Sequence, residues 1–344
     1  MSDPQTTAEP SGTIPREWRR WAAVSLIGNT PLVDVLEVLY QQGFPKSESV
    51  RLCAEFYDDP AFEAGQWIAQ QLSKTQSVLT MREQMRALSS APREVDRRSG
   101  LTSAEFLEDY YSQNTPVIMD DVCVNWPARA LWNPEYLVAK LGGVEVEVMS
   151  DRDSDPNYEI NSNEHKFMMR FDEYVAKIEV AGQSNDLYLV ANNKLLGTPA
   201  ADALWNDFEL DQRFLAPDPD HGQAYLWFGP GGTITPLHHD TLNVLFNQVA
   251  GHKHFILIPS LAIHRLYNNL AVYSEVDPLR PDLERHPLFA GVHPIHFDIG
   301  PGESLFIPAG WWHHVVSYDT SLSVSFTNFC FDNNIEWVHP SFSL

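Results

Sequence analysis

From Gly100 onward the chain is cut into short apolar runs by glycines and prolines, and this segmentation limits the fold more than any other feature. Pro116–Met119, Val144–Val148, Leu187–Val190, Tyr225–Phe228, Phe255–Ile258, Glu303–Ile307 and Leu322–Thr327 are four to six residues long and rich in β-branched and aromatic side chains. Runs of that length between tight turns are too short for helices and read as strands of a sandwich or barrel. The spacing predicts a mainly β domain with flanking helices, a double-stranded β-helix or jelly roll. Two helix starts lie among the strands. Thr102-Ser-Ala-Glu105 has the form of a capping box, and Asn133-Pro134 with Gly142-Gly143 supplies cap, N1 proline and terminal glycines in order.

The N-terminal part has a different periodicity. Pro31–Tyr40 and Trp67–Leu72 place apolar residues at helical spacing, and Gly43-Phe-Pro45 separates two helices. The expected organisation is a disordered tail over 1–15, a helical domain over 16–75, a linker over 76–100 and a β domain over 101–344. No internal repeat is visible.

Charge narrows the partners. The 344 residues carry a formal net charge of -23, which repels a phosphate backbone, and no basic patch longer than Arg16–Arg20 offsets it. Nucleic-acid binding is therefore not expected, whereas a neutral or cationic partner is compatible. No apolar run reaches membrane-spanning length, and Met1–Pro15 lacks a signal-peptide core. Cys53, Cys123 and Cys330 are odd in number and far apart, so neither a disulfide framework nor a thiolate metal site is expected. These features point to a reducing cytoplasm and to no membrane association.

The main chemical signal is Gly232-Thr-Ile-Thr-Pro-Leu-His-His-Asp240. In an extended chain, residues two apart share a face, so His238 and Asp240 project together while His239 points away. A second segment, Pro301–His314, offers a glycine turn, a strand, a Pro-Ala-Gly bend and then His313 and His314. Strand parity alone does not choose between those two histidines. Two imidazoles and one carboxylate on one face of a metal leave three positions open, as in non-haem iron oxygenases. Zinc is the rival metal, although it favours a closed tetrahedron or one open position. An HxD triplet also arises by chance, and a histidine beside tryptophans is commonly just buried. The weight lies in the two segments occurring together, each beside a Gly/Pro turn.

The run Trp227–Asp240, followed by Gly251-His-Lys-His-Phe-Ile-Leu-Ile-Pro259, Pro301–Pro308 and Trp312-His313, resembles the JmjC-type, cupin-like hydroxylases. The nearest branch is the one that includes asparaginyl and arginyl hydroxylases and bacterial members, and the likeness covers roughly residues 101–340. It implies an Fe(II)- and 2-oxoglutarate-dependent dioxygenase with His238, Asp240 and His313 as iron ligands. It places Lys253, Thr235 and Tyr188 on the distal carboxylate of 2-oxoglutarate, a sensible trio for a buried anion. Family members often carry an asparagine where this chain has Val244. The resemblance therefore leaves Asn243 or Asn247 to replace it, and it matches Asn328 to a second asparagine after the last histidine.

The reaction so implied couples decarboxylation of 2-oxoglutarate to hydroxylation of an unactivated C–H bond. In the arginyl-hydroxylating branch a glutamate after a Val-x-Val strand and a tryptophan before the HxD turn hold the guanidinium. Glu147 and Trp227 stand at similar places here, and a carboxylate with an indole face suits a cation. The acidic loop Asp151–Glu159 adds charge expected at the cleft rim. The alternatives are an exposed strand residue for Glu147 and core for Trp227. The expected substrate is a peptidyl side chain, arginyl or another cationic or neutral residue, of a protein or ribosomal peptide. The helical unit would bind a partner, form a homodimer or simply cap the barrel. Rival classes are a metal-dependent cupin lyase or isomerase that does not use 2-oxoglutarate, and a catalytically silent binding module.

Overall fold

The computed structural model describes residues 14–88, 94–190, 193–217, 223–269 and 271–335. The chain divides into two compact units, one ending at Arg86 and the other beginning at Ala87. The first holds α1 (Arg16–Ile27), α2 (Leu32–Gln41), α3 (Lys46–Tyr57) and all but the last two residues of α4 (Pro60–Leu88). A proline precedes each of the first three helices and begins the fourth, where its fixed φ favours helix entry and its missing N–H costs nothing. Trp18, Ala22 and Leu26 recur every fourth residue along α1 and bury one stripe against Val35, Leu39, Leu52 and Cys53.

Two boundaries differ from expectation. The tail expected over 1–15 lies almost entirely outside the described residues, but Ile14 is buried in the helical core. Helix α4 continues to Leu88, inside the 76–100 segment expected as linker. No glycine or proline interrupts residues 66–88, and helix formers dominate them, so propensity sustains a helix there without a buried stripe to announce it. Its apolar residues Leu72, Val78 and Met85 are exposed. Among the described residues, no helix is long and apolar enough to cross a membrane.

The second unit is built on strands β1 (Asp96–Arg98), β2 (Val117–Met119), β3 (Glu145–Met149), β4 (Lys166–Arg170), β5 (Ala224–Gly229), β6 (Ile234–His239), β7 (Val244–Ala250), β8 (Lys253–Ile258), β9 (Ile295–Ile299), β10 (Ser304–Ile307), β11 (Trp312–Ser317) and β12 (Ser321–Phe326). They form a large sheet in the order β1-β2-β10-β7-β12-β5, a smaller one in the order β6-β11-β8-β9, and the hairpin β3-β4. Neighbours that are distant in sequence, antiparallel apart from the parallel β1–β2 pair, make this a jelly roll. Ile118, Phe246 and Leu305 of the large sheet meet Phe255, Leu257 and Val315 of the small one to form the inter-sheet core. The opposite face of the large sheet packs a second layer that includes Phe171, Tyr174, Leu204, Phe208 and Phe326.

Both anticipated helix caps are present. Thr102 and Glu105 exchange side-chain bonds with each other's backbone N–H, and Asn133 Oδ1 accepts from Tyr136 N at 2.9 Å. Leu187–Val190 forms no full strand, only the bridges Met149↔Tyr188 and Leu189↔Phe228. The central strand β7 escaped the apolar pattern because Asn247 and Gln248 interrupt it. Both are fully buried and cross-linked instead: Asn247 bonds Val324 O and Ser304 Oγ, and Gln248 bonds Ser321 and Ser323.

Candidate metal centre and its cavity

Strands β6 and β11 lie side by side and antiparallel, with His238 directly opposite His313. Their rings are 4.1 Å apart between centroids. Asp240 follows β6 on the same face, and its Oδ2 lies 3.6 Å from His313 Nε2. One ligand atom from each of His238, Asp240 and His313 falls within 4.8 Å of the others, so the three could hold one metal ion. The register also separates the two candidate histidines. His313 shares the face of His238, and His314 occupies the outer face of the sheet.

The ring orientations suit metal binding. His238 Nδ1 lies 2.8 Å from Pro236 O, and His313 Nδ1 lies 3.1 Å from Trp311 O. A carbonyl oxygen only accepts, so each Nδ1 carries a proton and each Nε2 is the nitrogen left to meet a metal. Burial, reinforced by the neighbouring His238, lowers the His313 pKa to about 3, so its imidazole is neutral at physiological pH. A hard carboxylate with two imidazoles fits ferrous iron with open positions better than a closed zinc site.

Thr235 reaches the same cavity by a less obvious route. Simple alternation would turn it away from His238, three residues on. The β6–β11 pairing, however, matches His238 to His313 and Thr235 to Val315, three steps on one strand against two on the other. A bulge at Pro236–Leu237 absorbs the extra residue, and proline, having no N–H, sits there without a lost ladder bond.

The cavity encloses about 300 Å³, and the triad, Lys253, Thr235, Tyr188 and Trp227 all line it. Lys253 enters from β8 and is only 2 % exposed. Its Nζ donates to Tyr188 Oη at 3.1 Å, and no carboxylate lies beside it among the described residues. Burial alone pushes its pKa down to about 7. Burial likewise raises the Tyr188 phenol, which the Thr235 hydroxyl approaches. A cationic lysine enclosed with two hydroxyls and no counter-charge fits a small carboxylate ligand.

Three residues expected at the site lie elsewhere. Glu147 projects from the β3–β4 hairpin and pairs with Lys166 at 3.3 Å, outside the cavity lining. Asn243 turns its Oδ1 to Ala309 N at 2.8 Å, tying the HxD loop to the Pro-Ala-Gly bend. Asn328 spends its amide on Ala216 O at 2.9 Å. Val244 and the hydroxyls of Ser325 and Thr327 line the wall in their place. Trp227 is in the lining, and its Nε1 donates to Ser325 Oγ at 3.0 Å.

Glu159 and Tyr273 are among the lining residues that were not singled out from sequence. Glu159 ends the acidic loop and is held by Arg152, whose Nη2 lies 3.1 Å from its Oε1. Arg152 is itself buried, bonds Ile234 O and Asn185 O, and stacks 4.3 Å over Tyr158. Tyr273 lies 5.7 Å from the His238 ring. Burial raises its phenol, with Glu159 and Asp240 adding to the effect. The acidity of the 151–159 loop was the only sequence signal for Glu159, and Tyr273 had none.

The cavity thus holds two imidazoles and a carboxylate that could take a metal ion, together with the buried lysine Lys253. Comparison with known families agrees: residues 103–335 match the cupin-like domain family, to which the chain belongs as a JmjC-type member of the Fe(II)/2-oxoglutarate oxygenases. The chain is 33% identical to Lysine-specific demethylase JMJ30 of Arabidopsis thaliana, over 67% of this chain and 54% of that protein. It is 29% identical to Lysine-specific demethylase 8 of Xenopus tropicalis, over 64% and 49%. Identity to Jumonji C domain-containing protein 5 of Drosophila melanogaster is also 29%, over 64% and 56%. The chain thus spans about half the length of the curated relatives it matches.

Proposed function

We propose that this protein is an Fe(II)- and 2-oxoglutarate-dependent oxygenase that hydroxylates a C–H bond on a peptidyl side chain. The observation that carries the reading is Lys253, an enclosed lysine in the same cavity as the triad and without an anionic partner among the described residues. His238, Asp240 and His313 would hold the iron, and Lys253, Tyr188 and Thr235 the far carboxylate of the keto acid. Bound iron, keto acid and dioxygen supply the oxidation, giving succinate, carbon dioxide and one oxygen atom for the substrate C–H bond.

The chain's own groups position and shield. Backbone carbonyls of Pro236 and Trp311 hold both imidazoles with Nε2 toward the centre. Phe246, Phe255, Ile307 and Val315 give the cavity a dry apolar wall, which limits loss of oxidant to water. No side-chain acid or base is required.

On the substrate side, Glu159 with Trp227 and Tyr273 replaces the expected Glu147 as the carboxylate beside an indole. Arg152 anchors Glu159 and leaves its second oxygen for a substrate N–H, which favours a cationic side chain such as arginine. The lysine demethylation in the relatives' names is related chemistry, since hydroxylating an N-methyl carbon releases formaldehyde. Incubation of the iron-loaded protein with 2-oxoglutarate and matched Arg-containing, methyl-lysine and Arg-free peptides tests both levels. Gain of one oxygen on the Arg peptide is expected. Loss of a methyl would favour demethylation, equal turnover of all peptides would sink the cation reading, and absence of succinate with every peptide would sink the oxygenase reading.

A further inference from the structure

The small sheet has two faces, and the outer one carries its own cluster. Strand β8 turns Lys253 inward and His254 outward. On β9, Asp298 pairs directly with His254, and His296 pairs with Ile256, so His254, His296 and Asp298 share that outer face. His254 Nδ1 lies 2.7 Å from Asp298 Oδ1, and the same oxygen accepts from Tyr318 Oη at 2.9 Å. The ionised carboxylate only accepts, so Nδ1 carries the His254 proton and Nε2 presents a lone pair. That Nε2 faces His296 Nδ1 at 3.2 Å.

We propose that His254 and His296 form a second, outer site for a divalent transition metal, with Asp298 orienting His254 from behind. Two imidazole nitrogens each about 2.0–2.1 Å from a zinc-type ion, subtending an angle near the tetrahedral value, are roughly 3.2–3.4 Å apart. The two nitrogens, now joined by a hydrogen bond at 3.2 Å, already stand at a chelating separation, and a metal would displace the proton between them. The arrangement carboxylate–histidine–metal fixes the tautomer and raises ligand basicity. His296 is exposed, so its ring proton can move to Nε2 and face water when Nδ1 binds. An all-imidazole pair selects zinc, nickel or copper over magnesium or calcium. Arg97 reaches the Asp298 backbone carbonyl, but its guanidinium also pairs with Glu303, which offsets its charge. Water would complete the coordination, so the site is open and weaker than the triad. The inference does not depend on the oxygenase reading, because none of its residues lines the cavity.

Metal stoichiometry tests it. The full chain, equilibrated with Zn²⁺ and then with Ni²⁺, is compared by elemental analysis after dialysis with His296→Ala, His254→Gln and Asp240→Ala. Two equivalents are expected for the parent and one for each variant. Asp240→Ala should keep the outer equivalent, and His296→Ala should keep the inner one. Cu²⁺ spectra of Asp240→Ala should show two coordinated nitrogens, lost on adding His296→Ala. Because His296 is exposed, its substitution leaves the fold intact, which circular dichroism checks. Equal stoichiometry in the parent and His296→Ala, or no metal on Asp240→Ala, would overturn the proposal. So would magnesium binding there as tightly as zinc.

Discussion

Replacing Lys253 by methionine should make the metal- and cosubstrate-free protein more stable, not less. The ammonium is 2 % exposed, has no anionic partner among the described residues, and titrates at about 7 instead of 10.5. A depression of that size corresponds to about 5 kcal/mol of unfavourable charge burial, at about 1.4 kcal/mol per unit. Methionine is likewise unbranched, one atom shorter, and carries no charge. Loss of the bond to Tyr188 gives back about 1 kcal/mol, leaving a net gain of roughly 2–4 kcal/mol at pH 6. The sign follows from linkage. Below pH 7 the lysine is charged in both states and the native state carries the full penalty. Between pH 7 and 10.5 the native state has lost the proton while the unfolded state keeps it, so parent stability rises with pH. The advantage of the variant should therefore shrink toward pH 10. Denaturant unfolding of both proteins at pH 6 and 10 measures it. A variant less stable than the parent at pH 6, or a difference independent of pH, would refute the reasoning.

The same titration makes 2-oxoglutarate affinity fall about tenfold per pH unit above 7, with proton uptake on binding, which calorimetry in two buffers of different ionisation enthalpy would show. Glu159→Gln should raise KM for an Arg-containing peptide about tenfold or more with little change for an Arg-free one; parallel changes would remove Glu159 from recognition. Gly251→Ala should cost more than about 2 kcal/mol, because φ is +73° and a Cβ would fall 2.3 Å from Thr320 O in the β7–β8 turn; an unchanged melting temperature would contradict this. Asp207→Ala strips the acceptor from Trp132 Nε1 and Tyr136 Oη, both at 2.8 Å, and should cost about 2–4 kcal/mol by denaturant unfolding.

Much of the site was legible because strand parity is a local rule. His238 and Asp240 share a face by counting alone, and the register of β11 against β6 then picks His313 over His314 on physical grounds. Thr235 is the instructive exception, since counting by twos would have excluded it and only the bulge at Pro236–Leu237 restores it. The residues that the resemblance assigned to iron, and Lys253, lie in one cavity, whereas Glu147, Asn243 and Asn328 lie outside its lining. Their neighbours in sequence set the backbone, whereas Lys166, Ala309 and Ala216, distant in sequence, decide where the side chains go. Glu159 belongs to a loop whose path depends on the buried Arg152, and no periodicity encodes that. Among the strands, β4, β7 and β9 were not read from sequence; at β7 the reason is its buried amides, which satisfy one another across the sheet.

The central claim is most directly tested with isotopically labelled dioxygen, supplied to the iron-loaded protein with 2-oxoglutarate and the Arg-containing peptide. The proposed chemistry predicts one labelled oxygen in succinate and one in the peptide, with both lost in Asp240→Ala. Succinate and modified peptide without label, or full turnover by Asp240→Ala, would contradict it.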